Sequence, residues 1–181
     1  MEAYSVLIRE IGGALVKEAV RVKVRRARAM ETSFYKRSNF VTHLPVDRLY
    51  SPSHVWLEDE GANVWRIGFT KFATRMLGEI VDHQWEKIGG APVRCGEIIG
   101  SIEGFKAISD VYCVASGIFI EGNPALRDRI ELVSKDPYRE GWLYRVSGTP
   151  DTNCLDVTGY RALLDTTIDR ILEKQHTGDA S

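Results

Sequence analysis

The chain has 181 residues, of which 44% are hydrophobic and 27% charged, with a formal net charge of −1. These values suit a soluble globular protein of one domain plus an appendage, and they give no reason to expect nucleic acid as a partner. No apolar run approaches the roughly 20 residues of a membrane-spanning helix, so no membrane association is expected. Cys95, Cys113 and Cys154 stand far apart in sequence and form neither a CxxC pair nor a metal-ligand spacing. Such scattered cysteines fit a reducing compartment, where they serve as small core residues or idle thiols.

Residues 1–48 read as an N-terminal extension. Leu7, Ile11, Leu15, Val16 and Val20 are spaced for an amphipathic helix within Val6 to Val24. Arg21, Lys23, Arg25, Arg26 and Arg28 then form a basic cluster. The favoured reading is a helix that packs on the domain or on a partner. A targeting segment is opposed by Glu2, Glu10 and Glu18, and a third reading takes Met30 as the true start.

From Leu49 to Val146 the pattern is all-β. Short apolar runs are punctuated by Gly89-Gly90, Gly96, Gly117, Gly122-Asn123-Pro124 and Pro137, as in a small sandwich or barrel. One short helix is expected at Lys71 to Leu77, with Phe72, Met76 and Leu77 facing the core. A final helix is expected from Thr158 to Lys174. Its apolar face is Tyr160, Leu163, Leu164, Ile168, Ile171 and Leu172, with Asp165, Asp169, Arg170 and Lys174 largely opposite. Residues 176–181 read as a tail.

One lysine has an unusual setting. Glu97 to Ile102 and Ile108 to Cys113 read as strands, and Gly104 suits a tight reversal between them. Lys106 is therefore expected on a hairpin tip, pointing into solvent, where it can be modified or gripped by a partner. Most exposed lysines only solvate a surface. The surrounding segments argue otherwise. Glu103, Ala107, Ser109 and Asp110 flank the lysine. Leu49-Tyr50-Ser51-Pro52-Ser53-His54 with Trp56, Ile67-Gly68-Phe69-Thr70-Lys71-Phe72-Ala73, and Leu77-Gly78-Glu79-Ile80-Val81 precede it. Ala115-Ser116-Gly117, Gly122-Asn123-Pro124-Ala125-Leu126 and Asp136 to Leu143 follow. In this order, over Leu49 to about Tyr160, the chain resembles the glycine cleavage H-protein family, and the tip resembles that family's lipoyl-attachment hairpin.

The resemblance implies a mainly β, lipoyl-domain-like barrel-sandwich hybrid at 49–175 with a C-terminal helix, preceded by an extension expected to be helical. It implies lipoate in amide linkage to Lys106, with Glu103, Gly104 and Asp110 serving hairpin recognition by a lipoate ligase or lipoyl transferase. It also implies a non-catalytic, monomeric, cytoplasmic carrier. Such a carrier shuttles an aminomethyl group and reducing equivalents between glycine decarboxylase, aminomethyltransferase and dihydrolipoyl dehydrogenase. The cofactor carries the chemistry and the protein carries the cofactor.

Two departures lie near that chemistry. Phe105 replaces a small aliphatic residue before the lysine, and an exposed ring there is expected to meet a neighbouring loop or a partner. The family's His-Glu-Trp motif is His54-Val55-Trp56 here, and valine can neither pair with an ammonium nor accept a hydrogen bond. Full competence with an amine cargo then requires another acid, such as Glu58 or Asp59. A related carrier handling sulfur intermediates is the alternative reading. His54 and His83 have no nucleophile beside them in sequence and read as structural or surface residues. Asp82-His83 is a local oddity without an assigned role.

Overall fold

The structure, a computed structural model, describes residues 30–105 and 107–178, which from Glu31 onward belong to one compact unit. The helix and basic cluster expected within residues 1–29, Lys106 itself and the end of the tail lie outside the described residues. None of the helices described is long and apolar enough to cross a membrane.

The first strands are β1 (Thr32–Arg37), β2 (Phe40–Pro45), β3 (Leu49–Tyr50), β4 (Val55–Gly61) and β5 (Val64–Phe69). Helix α1 (Lys71–Leu77) follows, then β6 (Ile80–Trp85), β7 (Pro92–Val93), β8 (Ile98–Gly104), β9 (Ala107–Tyr112) and β10 (Ala115–Gly122). A 3-10 turn (Pro124–Arg127), α2 (Leu132–Lys135), β11 (Tyr144–Pro150) and α3 (Val157–Gly178) complete the chain. The expected mainly β fold with a C-terminal helix is present. A six-stranded sheet runs in the order β3-β4-β5-β11-β10-β7, and a three-stranded sheet in the order β6-β8-β9. Inward residues of both sheets form the core, among them Leu57, Ile67 and Val146 from the first and Ile99, Ile102 and Val111 from the second.

Local chemistry sets the elements. Ala62 and Asn63, at φ 50° and 60°, form the two-residue reversal of the β4–β5 hairpin. Thr70 caps α1 by accepting from Ala73 N, and Gly78 ends it at φ 78°. Phe72 is buried as expected and Leu77 packs against the core. Met76 is 58% exposed, contrary to expectation, because this two-turn helix buries Phe72, Ala73 and Thr74 instead. Trp56 is fully buried, and its indole donates to the Pro137 carbonyl at 2.9 Å. Gly68 is obligatory beside it, since a Cβ there would lie 2.6 Å from the Trp56 ring. The Arg48 guanidinium lies over that ring at 4.1 Å, donates to the Tyr138 carbonyl and pairs with Glu58 at 3.2 Å.

The extension expected at 1–48 does not describe residues 32–45. They form an antiparallel hairpin, turning at Ser38-Asn39 between the paired Arg37 and Phe40, with Ser38 at φ 49°. Tyr35, Phe40, Thr42 and Leu44 are buried. Tyr35 donates its hydroxyl to Asp165 at 2.8 Å, Arg37 pairs with Asp169, and Phe40 meets Phe72 edge-on at 5.4 Å. The signal was present as alternation around Ser-Asn, a less familiar turn than Asn-Gly. Asp165 and Asp169 therefore face this hairpin and are not simply solvated.

Helix α3 buries Tyr160, Leu164 and Ile168 and leaves Leu163, Ile171 and Leu172 half-buried. It continues past the expected Lys174 to Gly178, because glutamate, lysine and glutamine at 173–175 favour helix and no breaker precedes the glycine. Tyr160 stacks on Tyr50 at 4.5 Å. Its hydroxyl lies 3.0 Å from His54 Nδ1 and 2.9 Å from Thr70 Oγ1, which joins the helix to the cap of α1. His54 sits at φ 63°, with its carbonyl accepting from Thr70 N. Burial in this setting pushes its imidazole down to about 4.

Two outcomes follow. Arg48→Ala leaves the Trp56 face and the Glu58 carboxylate partly uncompensated and lowers unfolding free energy by about 3 kcal/mol, measured from urea midpoints. A loss below about 1 kcal/mol would show that the pair is dispensable. His54 binds a proton more readily unfolded than folded, so its contribution is complete above pH 6.5 and is lost as pH falls towards 4. The drop is on the order of 2–3 kcal/mol. His83, also held low by burial, acts in the same direction. The His54 share is therefore what His54→Asn, which keeps the left-handed backbone, removes from the pH profile of stability.

Candidate functional site

The strands around Lys106 pair more tightly than their sequence pattern suggested. In the β8–β9 register Glu103 faces Ile108 and Gly104 faces Ala107, so only Phe105 and Lys106 separate the last backbone pair. Glu103 and Gly104 are thus strand residues and not part of an open loop. Gly104 is buried and pairs with Ile80 of β6 on its other side, while Phe105 N donates to the Glu79 carbonyl at 2.8 Å. These bonds hold the approach to the turn rigidly.

The register also places the flanking acids. Asp82, Glu103 and Ile108 form one row across β6, β8 and β9, and Gln84, Ser101 and Asp110 form the next. Asp82, Glu103, Ile108 and Asp110 are exposed, whereas Ile102 and Val111 on the opposite face are buried. The three carboxylates therefore share the outer face of this sheet. None makes an ion pair among the described residues. Like charges side by side on a sheet are mildly destabilising, so this face costs stability and projects a negative field. Asp82 was not among the expected site residues; only strand pairing shows that it stands opposite Glu103.

Phe105 is 79% exposed and Ile108 69%. Of the two surfaces expected for Phe105, a neighbouring loop is not what covers its ring. Val55 is 5% exposed and belongs to the hydrophobic core, opposite Phe69. The acids considered as substitutes are committed elsewhere. Glu58 is bound by Arg48 and Arg66, and Asp59 caps Gly61 N in the β4–β5 turn at 2.7 Å. His54 is occupied in the Tyr160 network. His83 is partly buried, and burial lowers its pKa from the ordinary value against an opposing effect of Asp82. Cys95, Cys113 and Cys154 are free thiols, with Cys113 donating to the Ala115 carbonyl from inside the core.

The comparisons agree with this architecture. The family model for the glycine cleavage H-protein matches residues 48–162. The glycine cleavage system H protein of Corynebacterium jeikeium is 39% identical over 126 residues, 67% of this chain and 98% of that protein. The H protein of Photorhabdus laumondii is 35% identical over 128 residues, 69% of this chain and 98% of its own length. The crystal structure of a glycine cleavage system H protein from Mycobacterium marinum superposes with a TM-score of 0.59 at 34% identity, covering 66% of this chain and 97% of that one. The β1–β2 hairpin and the last turns of α3, which pair through Tyr35–Asp165 and Arg37–Asp169, fall outside the matched family region. With the core strands, the Lys106 segment and α1 all inside it, the chain belongs to the glycine cleavage H-protein family.

Proposed function

We propose that this protein is the lipoyl carrier of a glycine cleavage system, a cytoplasmic, monomeric and non-catalytic component whose lipoate is attached to Lys106. The supporting observation is the two-residue interval between the paired Gly104 and Ala107, set on a sheet whose outer face is exposed and acidic. The fit to the group is favourable: Phe105 and Ile108, on either side of the lysine in sequence, are both accessible to a modifying enzyme. A lipoyl group supplies a disulfide that can be reduced to a dithiol. The chain's own residues do the rest. Gly104, Ile80 and Glu79 fix the root of the arm, and the lysine stem supplies reach. Glu103 and Asp110 offer carboxylates to the lipoate ligase or lipoyl transferase, and Phe105 offers an apolar anchor to partner enzymes. Those enzymes are glycine decarboxylase, aminomethyltransferase and dihydrolipoyl dehydrogenase.

A second reading keeps the lipoyl arm and changes the cargo to sulfur. The buried Val55, with Glu58 and Asp59 both engaged, favours it because a sulfur cargo needs no partner for an ammonium.

Incubation with a lipoate ligase should add one lipoyl group to the intact mass and none to Lys106→Arg. It should also lower the net charge from −1 to −2, read by isoelectric focusing, as Lys+Arg falls from 24 to 23. An unmodified Lys106 would sink both readings. Glu103→Ala should slow lipoylation about tenfold, the usual scale for one charge-assisted contact, with thermal stability not reduced and slightly raised by relief of the charge facing Asp82; unchanged kinetics would remove Glu103 from recognition. Lipoylated protein combined with glycine decarboxylase should support glycine-dependent bicarbonate exchange. Its absence, with lipoylation intact, selects the sulfur cargo.

A further inference from the structure

Asp82-His83 takes no part in the proposed carrier chemistry, yet the pairing of β6 with β8 gives the two residues distinct positions. Ile80 stands opposite Gly104 and Asp82 opposite Glu103, so Val81 is an extra residue in β6. Directly opposed residues of an antiparallel pair point to the same face of the sheet. In unbroken register Asp82 would stand opposite Ile102, which is fully buried. The bulge moves the acid to the outer face and sets His83 opposite Ile102 instead. The His83 ring is half-buried and meets Trp85 at 5.9 Å, while its backbone N donates to Asp82 Oδ1 at 2.7 Å. The histidine anchors β6 from the inner side, and the aspartate is presented outward with its carboxylate oriented.

This arrangement has a cost. Asp82 and Glu103 are like charges on neighbouring strands, and neither has an ion pair among the described residues. A cation brought by another molecule would offset both charges at once. The surface is also continuous with the hairpin tip. Asp82 lies one strand across and one residue back from Gly104, about 6 Å between Cα atoms. An enzyme that takes up the tip covers about 800 Å2 of this protein, a patch on the order of 16 Å in radius. Asp82 falls inside that patch.

We propose that Asp82 is a specificity-determining residue for the enzyme that attaches lipoate to Lys106, meeting, together with Glu103, a cationic contact surface on that enzyme. The inference rests on the carrier reading and deepens it. Asp82 lies 21 positions before Glu103, and only the β6–β8 register joins them. The enzyme therefore reads the folded sheet face and not the hairpin sequence alone.

The test is steady-state lipoylation of the full chain by a purified lipoate ligase with ATP and lipoate, followed by intact mass. Wild type is compared with Asp82→Asn, Asp82→Lys and Glu31→Gln. Asparagine keeps an oxygen for the His83 N–H, and Glu31 is an exposed acid outside this sheet. Asp82→Asn should raise KM about threefold with kcat and thermal stability not reduced, the scale of one exposed ion pair. Asp82→Lys should raise KM about tenfold. Between about 50 and 300 mM sodium chloride, the rate for Asp82→Asn should fall less steeply than that for wild type. Glu31→Gln should match wild type in both respects. Wild type left unmodified defeats the carrier reading and this inference together. Modified wild type with Asp82→Asn unchanged in KM and salt dependence overturns this inference alone. An equal loss in Glu31→Gln, or a loss confined to kcat, does the same.

Discussion

The placement of the lysine hairpin rests on Tyr144. This fully buried phenol donates to the Tyr112 carbonyl at the end of β9 and accepts from Val114 N at the start of the next segment. A buried hydroxyl with both roles filled satisfies its own desolvation and fixes the strands that satisfy it. The ring stacks on Phe119 and takes the edge of Trp85, so the six-stranded sheet holds β6 and β9 of the smaller sheet at once. Burial holds the phenol far above its ordinary pKa, so it stays neutral under any physiological condition. With the base of β8 and β9 pinned in this way, the strand register alone carries rigidity out to Gly104 and Ala107.

That rigidity separates two properties that the proposed carrier needs together. The root of the arm must be fixed, and the surface around it must be open to several enzymes. Backbone pairing on both sides of Gly104 does the first without covering the outer face. Exposed apolar groups and carboxylates without an ion pair among the described residues do the second, at some cost in stability. Burial of Val55 belongs to the same trade. An acid at that position would have to remain charged inside the core or find a partner there. Valine removes the difficulty and, with it, any side-chain hydrogen-bond acceptor at that position.

The residues outside the matched family region follow a different logic. Tyr35 and Arg37 bind Asp165 and Asp169, so the added hairpin and the long helix cover one another. Neither is stable alone, since a two-stranded hairpin and an exposed helix turn both lack a buried face. The hairpin was legible only as weak alternation, and its partners lie about 130 residues away, a separation that no local pattern reports. The Asp82–Glu103 juxtaposition and the orphaned pair of His83 and Trp85 were hidden for the same reason. Strand register decides each of them, and a slip of one residue would reverse every face.

The sequence by itself determined the elements whose causes are local: α1 between Thr70 and Gly78, the apolar stripe of α3, the short strands between glycines and prolines, and Lys106 beside a tight reversal. Capping, periodicity and turn chemistry act over a few residues and can be read there. Tertiary structure alone decided what those elements face. It set the three acids on one outer surface, committed Glu58 and Asp59 elsewhere, tied His54 to Tyr160, and buried the ring nitrogens of His83 and Trp85 with no hydrogen-bond partner among the described residues. Those outcomes depend on contacts between distant segments, where burial and hydrogen bonding are settled by the whole fold.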